Sequence, residues 1–212
     1  MELLQDSRGR GLFAALVCSF VMGQAQADVV FDSITNDLRP VGGSYGGVAE
    51  YGSAITLAGI ERQITSIDFV IRDATPARNA TVSIYRVTGQ ENDNEPGELI
   101  ARSAFQPIST DDPGTSRIYT FVFDNVNVPD RIVVAMDDDI PPGTPGTGGI
   151  FGTPVIGSAD SNWFRFAENT IDNSWQSSSS NPVQMRINAV VPEPASLSIL
   201  AVSGLLGLRR RR

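Results

Sequence analysis

The sequence predicts an all-β fold for residues 28–190, either an antiparallel β-sandwich or a jelly roll. Apolar and polar residues alternate in short segments from residue 54 onward, which is the period of a half-buried strand. β-branched and aromatic residues fill these segments, and clusters of glycine, proline, asparagine and aspartate separate them. No helical period persists over about 12 residues of this stretch. Together these patterns favour antiparallel sheets packed face to face.

We expect about eight to ten strands in this stretch. In chain order, the segments that predict them are ITSIDFVIR (64–72), ATVSIYRV (80–87), an extended stretch at 99–108, RIYTFVFDN (117–125), RIVVAM (131–136), WFRF (163–166) and VQMRINAVV (183–191). The turn clusters include Gly42-Gly43, Thr75-Pro76, Asn94–Gly97, Asp112–Gly114 and Pro141–Gly143. Glycine and proline in such clusters supply the backbone angles that reverse the chain.

Residues 1–27 have the organisation of a secretory signal peptide. Two arginines precede an apolar stretch at 11–23, and Ala25 and Ala27 form an A-x-A cleavage site. We therefore expect a signal helix that signal peptidase removes after Ala27, which leaves Asp28 as the new N-terminus. The single cysteine, Cys18, lies in the segment that is lost. The mature chain then holds no disulfide and depends on packing for its stability.

The C-terminal residues 191–212 contain three features in a fixed order. Pro192-Glu193-Pro194 comes first, an apolar run at 197–208 follows, and four arginines, Arg209, Arg210, Arg211 and Arg212, close the chain. As a helix this run would measure about 18 Å, against a hydrocarbon core of about 30 Å. We expect a short hydrophobic helix that inserts transiently into the membrane, with its arginines on the cytoplasmic side.

These three features together resemble the PEP-CTERM sorting signal of Gram-negative bacteria. The resemblance implies recognition of Pro192, Glu193 and Pro194 by a membrane sorting enzyme of the exosortase type, followed by cleavage at or near this motif. It also implies delivery to the cell envelope, the cell surface or the extracellular matrix of a biofilm. A plain tail anchor is the alternative that the residues leave open.

The central region also resembles the globular domains common among PEP-CTERM proteins. The resemblance rests on TSIDFVI, TVSIYRV and EPGELIARSAF. It implies a β-sandwich similar to carbohydrate-binding modules and specifies no activity.

Composition excludes several classes of catalytic site. All 16 basic residues are arginine, and the chain contains neither lysine nor histidine. A Ser-His-Asp triad, a lysine Schiff base, a P-loop lysine and a histidine-ligated zinc site therefore have no residues to form them. Residues 28–193 hold 22 acidic residues and 10 arginines, a net charge of −12 that repels nucleic acid. We expect a protein that is not an enzyme and does not bind nucleic acid.

Two groups of residues are candidates for ligand binding. Trp175 lies in a polar segment beside Asp172 and Asn173, so an exposed indole there could stack on a sugar of an exopolysaccharide. Trp163 has aromatic neighbours and is expected in the core. Asp137, Asp138 and Asp139 form a run of carboxylates that is a candidate calcium site, since calcium prefers oxygen ligands. No other cofactor is expected.

The leading functional prediction is an exported structural or adhesive protein of the cell surface or extracellular matrix. The alternative is a lectin-like carbohydrate-binding module. A carboxylate-based glycan hydrolase is a remote third reading, because 22 acidic residues always offer some pair that looks suitable.

Overall fold

The structure is a computed structural model that describes residues 27–34, 48–72, 77–88, 94–109, 115–138, 148–149, 151–166, 175–178 and 182–190. Within these ranges it contains twelve β-strands and no helix. The strands are β1 (Ala27–Asp32), β2 (Val48–Thr56), β3 (Gln63–Arg72), β4 (Arg78–Thr88), β5 (Glu95–Arg102), β6 (Gln106–Ile108), β7 (Ser116–Asn127), β8 (Arg131–Asp138), β9 (Gly148–Gly149), β10 (Ser158–Phe166), β11 (Gln176–Ser178) and β12 (Met185–Val190).

The strands form two antiparallel sheets. The five-stranded sheet has the order β1-β12-β3-β7, and β9 pairs with β3 beside it. The seven-stranded sheet has the order β11-β10-β2-β8-β4-β5, and β6 also pairs with β4. Most neighbours in these sheets are distant in sequence, so the chain crosses repeatedly between the two layers.

The hydrophobic core lies between the two sheets, which confirms the predicted all-β sandwich. Tyr51 of β2 and Phe69 of β3 meet edge to face across the two layers, with ring centroids 6.0 Å apart. The five-stranded sheet contributes Phe31, Ile64, Ile67, Phe69, Ile71, Phe121, Met185 and Ile187, and the seven-stranded sheet contributes Tyr51, Ile55, Val82, Ile84, Ile132, Val134 and Met136. These side chains alternate along their strands, as the sequence pattern predicts.

The first and last strands pair with each other. In the β1–β12 ladder Ala27 is the register partner of Val190, and Asp28 is the partner of Ala189. Just beyond β1, the Ser33 hydroxyl accepts a hydrogen bond from the Met185 backbone nitrogen at 3.0 Å and donates to the Val183 carbonyl at 2.9 Å. These contacts attach the N-terminal end of the described chain to its C-terminal strand.

The predicted strands are found, and four further strands, β1, β2, β9 and β11, were not anticipated. β3, β4, β7, β8, β10 and β12 cover the predicted segments, and β5 with β6 divides the predicted stretch 99–108. β1 lies before residue 54, the start of the recognised alternation, and β2 begins before it and ends at Thr56. The predicted signal helix and C-terminal helix fall outside the described residues. Within the described residues no helix is long and apolar enough to span a membrane.

Candidate functional site

The face of the seven-stranded sheet that points away from the core carries a second apolar cluster. Its buried members are Ala54, Tyr85, Val133, Ala135 and Trp163, and Val87 and Trp175 pack against them. We call these seven residues the outer aromatic cluster. On β4 and β8 they alternate with core residues, because neighbouring side chains of a strand point to opposite faces. Burying an apolar surface on an outward face is unusual for a sheet that otherwise faces water on that side.

Close strand packing lies beneath this cluster. Gly52 of β2 stands between Trp163 of β10 and Ala135 of β8 in the sheet register. A Cβ atom at Gly52 would lie 2.0 Å from the Val134 carbonyl oxygen and 2.5 Å from the Ala135 Cα. Glycine is therefore required at this position by the approach of two backbones.

The contact between Trp175 and Tyr85 crosses most of the sheet. Trp175 directly precedes the edge strand β11, whereas Tyr85 belongs to β4, with β10, β2 and β8 between them. The two rings nevertheless meet edge to face, with centroids 5.7 Å apart and planes at 75°. Trp175 is half-buried and Tyr85 is only 7% exposed. The Trp175 indole therefore covers one side of the Tyr85 ring and keeps part of its own surface in solvent.

Tyr85 also connects the cluster to a buried carboxylate. Its hydroxyl donates a hydrogen bond to Glu50 Oε1 at 2.6 Å, and Glu50 is completely buried. Burial raises the pKa of Tyr85 above its usual value, and the negative charge of Glu50 and the hydrogen bond to it act in the same direction. The phenol therefore stays protonated and remains a donor at neutral pH.

A guanidinium completes the polar side of the cluster. Arg102 of β5 donates from Nε to the Ser83 hydroxyl at 2.8 Å. Partial burial acts to lower the pKa of Arg102. The hydrogen bond with Tyr85 and the negative charges nearby, including Glu50 and Asp137, outweigh that effect, so the pKa is raised. Arg102 is thus a permanent cation beside an aromatic surface and two carboxylates.

This arrangement can bind but has limited means to catalyse. It offers two indoles, a phenol, two carboxylates and one guanidinium, which suits recognition of a ligand with an apolar face and hydroxyl groups. The remote hydrolase reading needs two facing carboxylates, and Glu50 and Asp137 are register partners on β2 and β8. Glu50, however, has no exposed surface and is bonded to Tyr85.

The predicted glycan and calcium residues are only partly described. Trp175 is placed as given above, while Asp172 and Asn173 lie outside the described residues. Asp137 is half-buried near the end of β8, Asp138 ends that strand, and Asp139 lies outside the described part. Among the residues that the structure describes, no group of three or more acidic or cysteine side chains is arranged to hold a metal. The calcium site stays a prediction.

The predicted targeting residues fall almost wholly outside the described ranges. These are Ala25 together with Pro192, Glu193, Pro194 and the arginines 209–212. Ala27 is described and is the first residue of β1.

Sequence reasoning missed Glu50, Tyr85 and Arg102. The expectation that Trp163 is buried in an apolar core is confirmed, since it is 9% exposed. Its core is the outer aromatic cluster, which is separate from the larger cluster between the sheets. One signal was present for Tyr85. In ATVSIYRV the inward positions are Val82 and Ile84, so a tyrosine one position later must face outward.

A shallow depression of about 400 Å³ adjoins the outer aromatic cluster at Val87, and its other lining residues are Arg86, Pro129, Asp130 and Arg131. Arg131 pairs with Asp160 at 2.9 Å, and Arg86 lies 3.5 Å from Glu98. Their charges are thus largely neutralised, and the depression has less recognition chemistry than the outer aromatic cluster.

No protein-family model, curated protein or solved structure gives a significant match to this chain.

Proposed function

We propose that this chain is an exported, non-enzymatic adhesive or structural protein of the bacterial cell surface or extracellular matrix, sorted through its C-terminal signal. The observation that supports it is the pairing of Ala27 with Val190. The predicted signal peptide ends at Ala27, and the predicted sorting signal begins one residue after Val190. Both targeting segments therefore join the sandwich at neighbouring backbone positions.

This attachment suits a protein that loses both segments. Every described strand lies between Ala27 and Val190, so removal of residues 1–27 and of the sorting signal takes away only Ala27, the first residue of β1. Before the second cut, the sandwich would be tethered from one end of the β1–β12 pair, with its other surfaces free to meet a polymer. Its stability without disulfides rests on the core between the sheets.

The experiment replaces the two prolines of the motif in a host that contains the sorting enzyme. The Pro192→Ala/Pro194→Ala double variant should accumulate as an unprocessed precursor in the inner membrane, whereas the unchanged chain should be trimmed and reach the surface. Intact mass and cell fractionation report both properties. Pro107→Ala/Pro154→Ala, which changes two prolines of the sandwich, is the matched control. Identical mass and location for all three chains would refute the sorting role.

A carbohydrate-binding module is the second candidate function. The observation that favours it is the half-buried Trp175 on the outward face of a sheet, in contact with Tyr85. An adhesive matrix protein and a polysaccharide-binding module are compatible roles, since adhesion to an exopolymer requires a surface that binds it. Isothermal titration of the protein against neutral polysaccharides distinguishes an adhesive from a purely structural role.

A further inference from the structure

We infer that Tyr85, Trp175, Arg102 and Asp137 form one binding site for a neutral sugar ring within a polysaccharide, and that Trp175 is the movable side of this site. The inference rests on the second candidate function and assigns that function to particular residues. None of these side chains except Trp175 is singled out by the sequence for sugar binding.

The apolar half of the site is the solvent-exposed part of the Trp175 indole, which packs against the buried Tyr85 ring. One face of a pyranose ring presents mainly C–H groups, so its burial against an aromatic ring removes apolar surface from water. Trp175 keeps part of its indole in solvent, and the rest of the ring lies edge to face against Tyr85. Trp163 lies in the same cluster but is nearly fully buried, so it supports the site from below.

The polar half of the site matches a ligand that both donates and accepts hydrogen bonds. Arg102 is exposed and donates only, while the half-buried Asp137 carboxylate accepts only. Sugar hydroxyls can serve both groups. The fully buried Glu50 holds the Tyr85 phenol in place rather than facing the ligand.

The charge balance favours a neutral ligand. The negative charges of Glu50 and Asp137 both act on Arg102, so one guanidinium faces two carboxylates and the site has no surplus positive charge. The predicted mature chain carries a net charge of −12, which adds repulsion against an acidic polymer. The carboxylates of Glu50 and Asp137 therefore disfavour a uronate-rich polysaccharide, whereas they are compatible with a neutral one.

Trp175 is the residue of this site whose displacement requires the least free energy. It adjoins β11, which has three residues and, among the described strands, pairs only with β10 at the edge of the sheet. Segments with few backbone pairs open at a small fraction of the global free energy of unfolding. Tyr85, by contrast, lies on β4 between β8 and β5 and is fixed by Glu50.

The test is fluorescence titration of the full chain with dextran, hydroxyethyl cellulose, galactomannan and, as the acidic polymer, alginate. A polyoxyethylene detergent keeps the chain soluble, since sugar-headed detergents would compete. The chain contains two tryptophans, so the difference between the unchanged chain and Trp175→Phe isolates the emission of Trp175. We expect at least one neutral polymer to change its emission, no change in Trp175→Phe, and no response to alginate.

Arg102→Gln should weaken binding about ten-fold through loss of charged hydrogen bonds. Arg117→Gln changes an exposed arginine on β7 of the other sheet; it is the matched control and should bind normally.

Three outcomes would contradict the inference. Titration calorimetry could show that binding of a neutral polymer survives both Trp175→Ala and Arg102→Gln. That result would leave the carbohydrate-binding function standing and overturn this site. Binding to alginate alone would overturn the neutral ligand class. Absence of binding to all neutral polymers would overturn both the site and the second candidate function.

Discussion

Ala27 and Val190 are register partners in the β1–β12 ladder, and the next pair inward is Asp28 with Ala189. The predicted peptidase cut, between Ala27 and Asp28, therefore lies inside a hydrogen-bonded strand pair. The fifth pair of this ladder, Asp32 with Arg186, adds a side-chain contact, because Arg186 Nε donates to Asp32 Oδ2 at 2.9 Å. A peptide bond within a paired strand is less accessible to a protease than a bond at an exposed loop tip, where proteases cleave most readily.

We predict that signal peptidase cleaves the precursor only before β12 pairs with β1. Purified full-length precursor that has folded should resist signal peptidase in detergent micelles. A chain that ends at residue 182 lacks β12 and should be cut after Ala27, because β1 then has no partner in its sheet. Mass spectrometry of the digest identifies the cut. Equal cleavage rates for the two chains would contradict the prediction.

Replacement of a core isoleucine should destabilise the sandwich strongly. Ile67 of β3 is fully buried between the sheets, so Ile67→Ala should lower the free energy of unfolding by about 2–5 kcal/mol. Ile118 of β7 is 47% exposed, and Ile118→Ala should change it by less than about 1 kcal/mol. Urea unfolding followed by circular dichroism measures both. A similar loss for the two variants would show that Ile67 is not a core residue.

Loss of the Ser33 hydroxyl should weaken the link between the two ends of the described chain. This hydroxyl is buried and bonds to the backbone of Val183 and Met185. In Ser33→Ala, the Met185 amide loses this side-chain acceptor, and we expect a loss of about 1–3 kcal/mol in unfolding free energy. Ser158→Ala, at an exposed position of β10, should have almost no effect. Comparable urea midpoints for both variants would refute the assigned role of Ser33.

Stability should fall at alkaline pH because of Tyr85. Its pKa is raised in the folded state by burial and by Glu50, whereas the unfolded phenol ionises near its ordinary value of about 10. The protonated Tyr85 phenol therefore contributes fully to the free energy of unfolding below about pH 10. This contribution is lost as the pH rises through the pKa of the folded state, because the folded protein binds the proton more tightly than the unfolded chain does. Tyr85→Phe should remove this part of the pH dependence.

The measurement for Tyr85 is the urea midpoint between about pH 8 and pH 11. Tyr119→Phe retains Tyr85 and serves as the control, so it should keep the alkaline decline of the unchanged protein. A decline of equal steepness in Tyr85→Phe would show that the phenol of Tyr85 does not contribute to it.

Local sequence pattern predicts the strands whose residues alternate between core and solvent. β12 is an example, since Met185, Ile187 and Ala189 are buried and the residues between them are half-buried. β2 escaped prediction because Gly52, Ser53 and Ala54 are weak strand formers. Its strand conformation depends on the neighbours β8 and β10, which are distant in sequence.

The candidate site could be predicted only in part for a related reason. Trp175 was identifiable from its polar surroundings, but its contact with Tyr85 depends on the order in which five strands are arranged. Glu50 and Arg102 reach the same phenol from β2 and β5. Periodicity specifies which face of a strand a residue occupies, and it carries no information on which strands become neighbours.

The position of β12 between β1 and β3 has a kinetic consequence. Of the described strands this one is synthesised last, yet the five-stranded layer cannot close without it. Long-range closure of this kind slows folding, because chain entropy must be lost before the contacts form. A chain that folds slowly remains unfolded for longer, and the unfolded state is the one that can pass through a translocation channel.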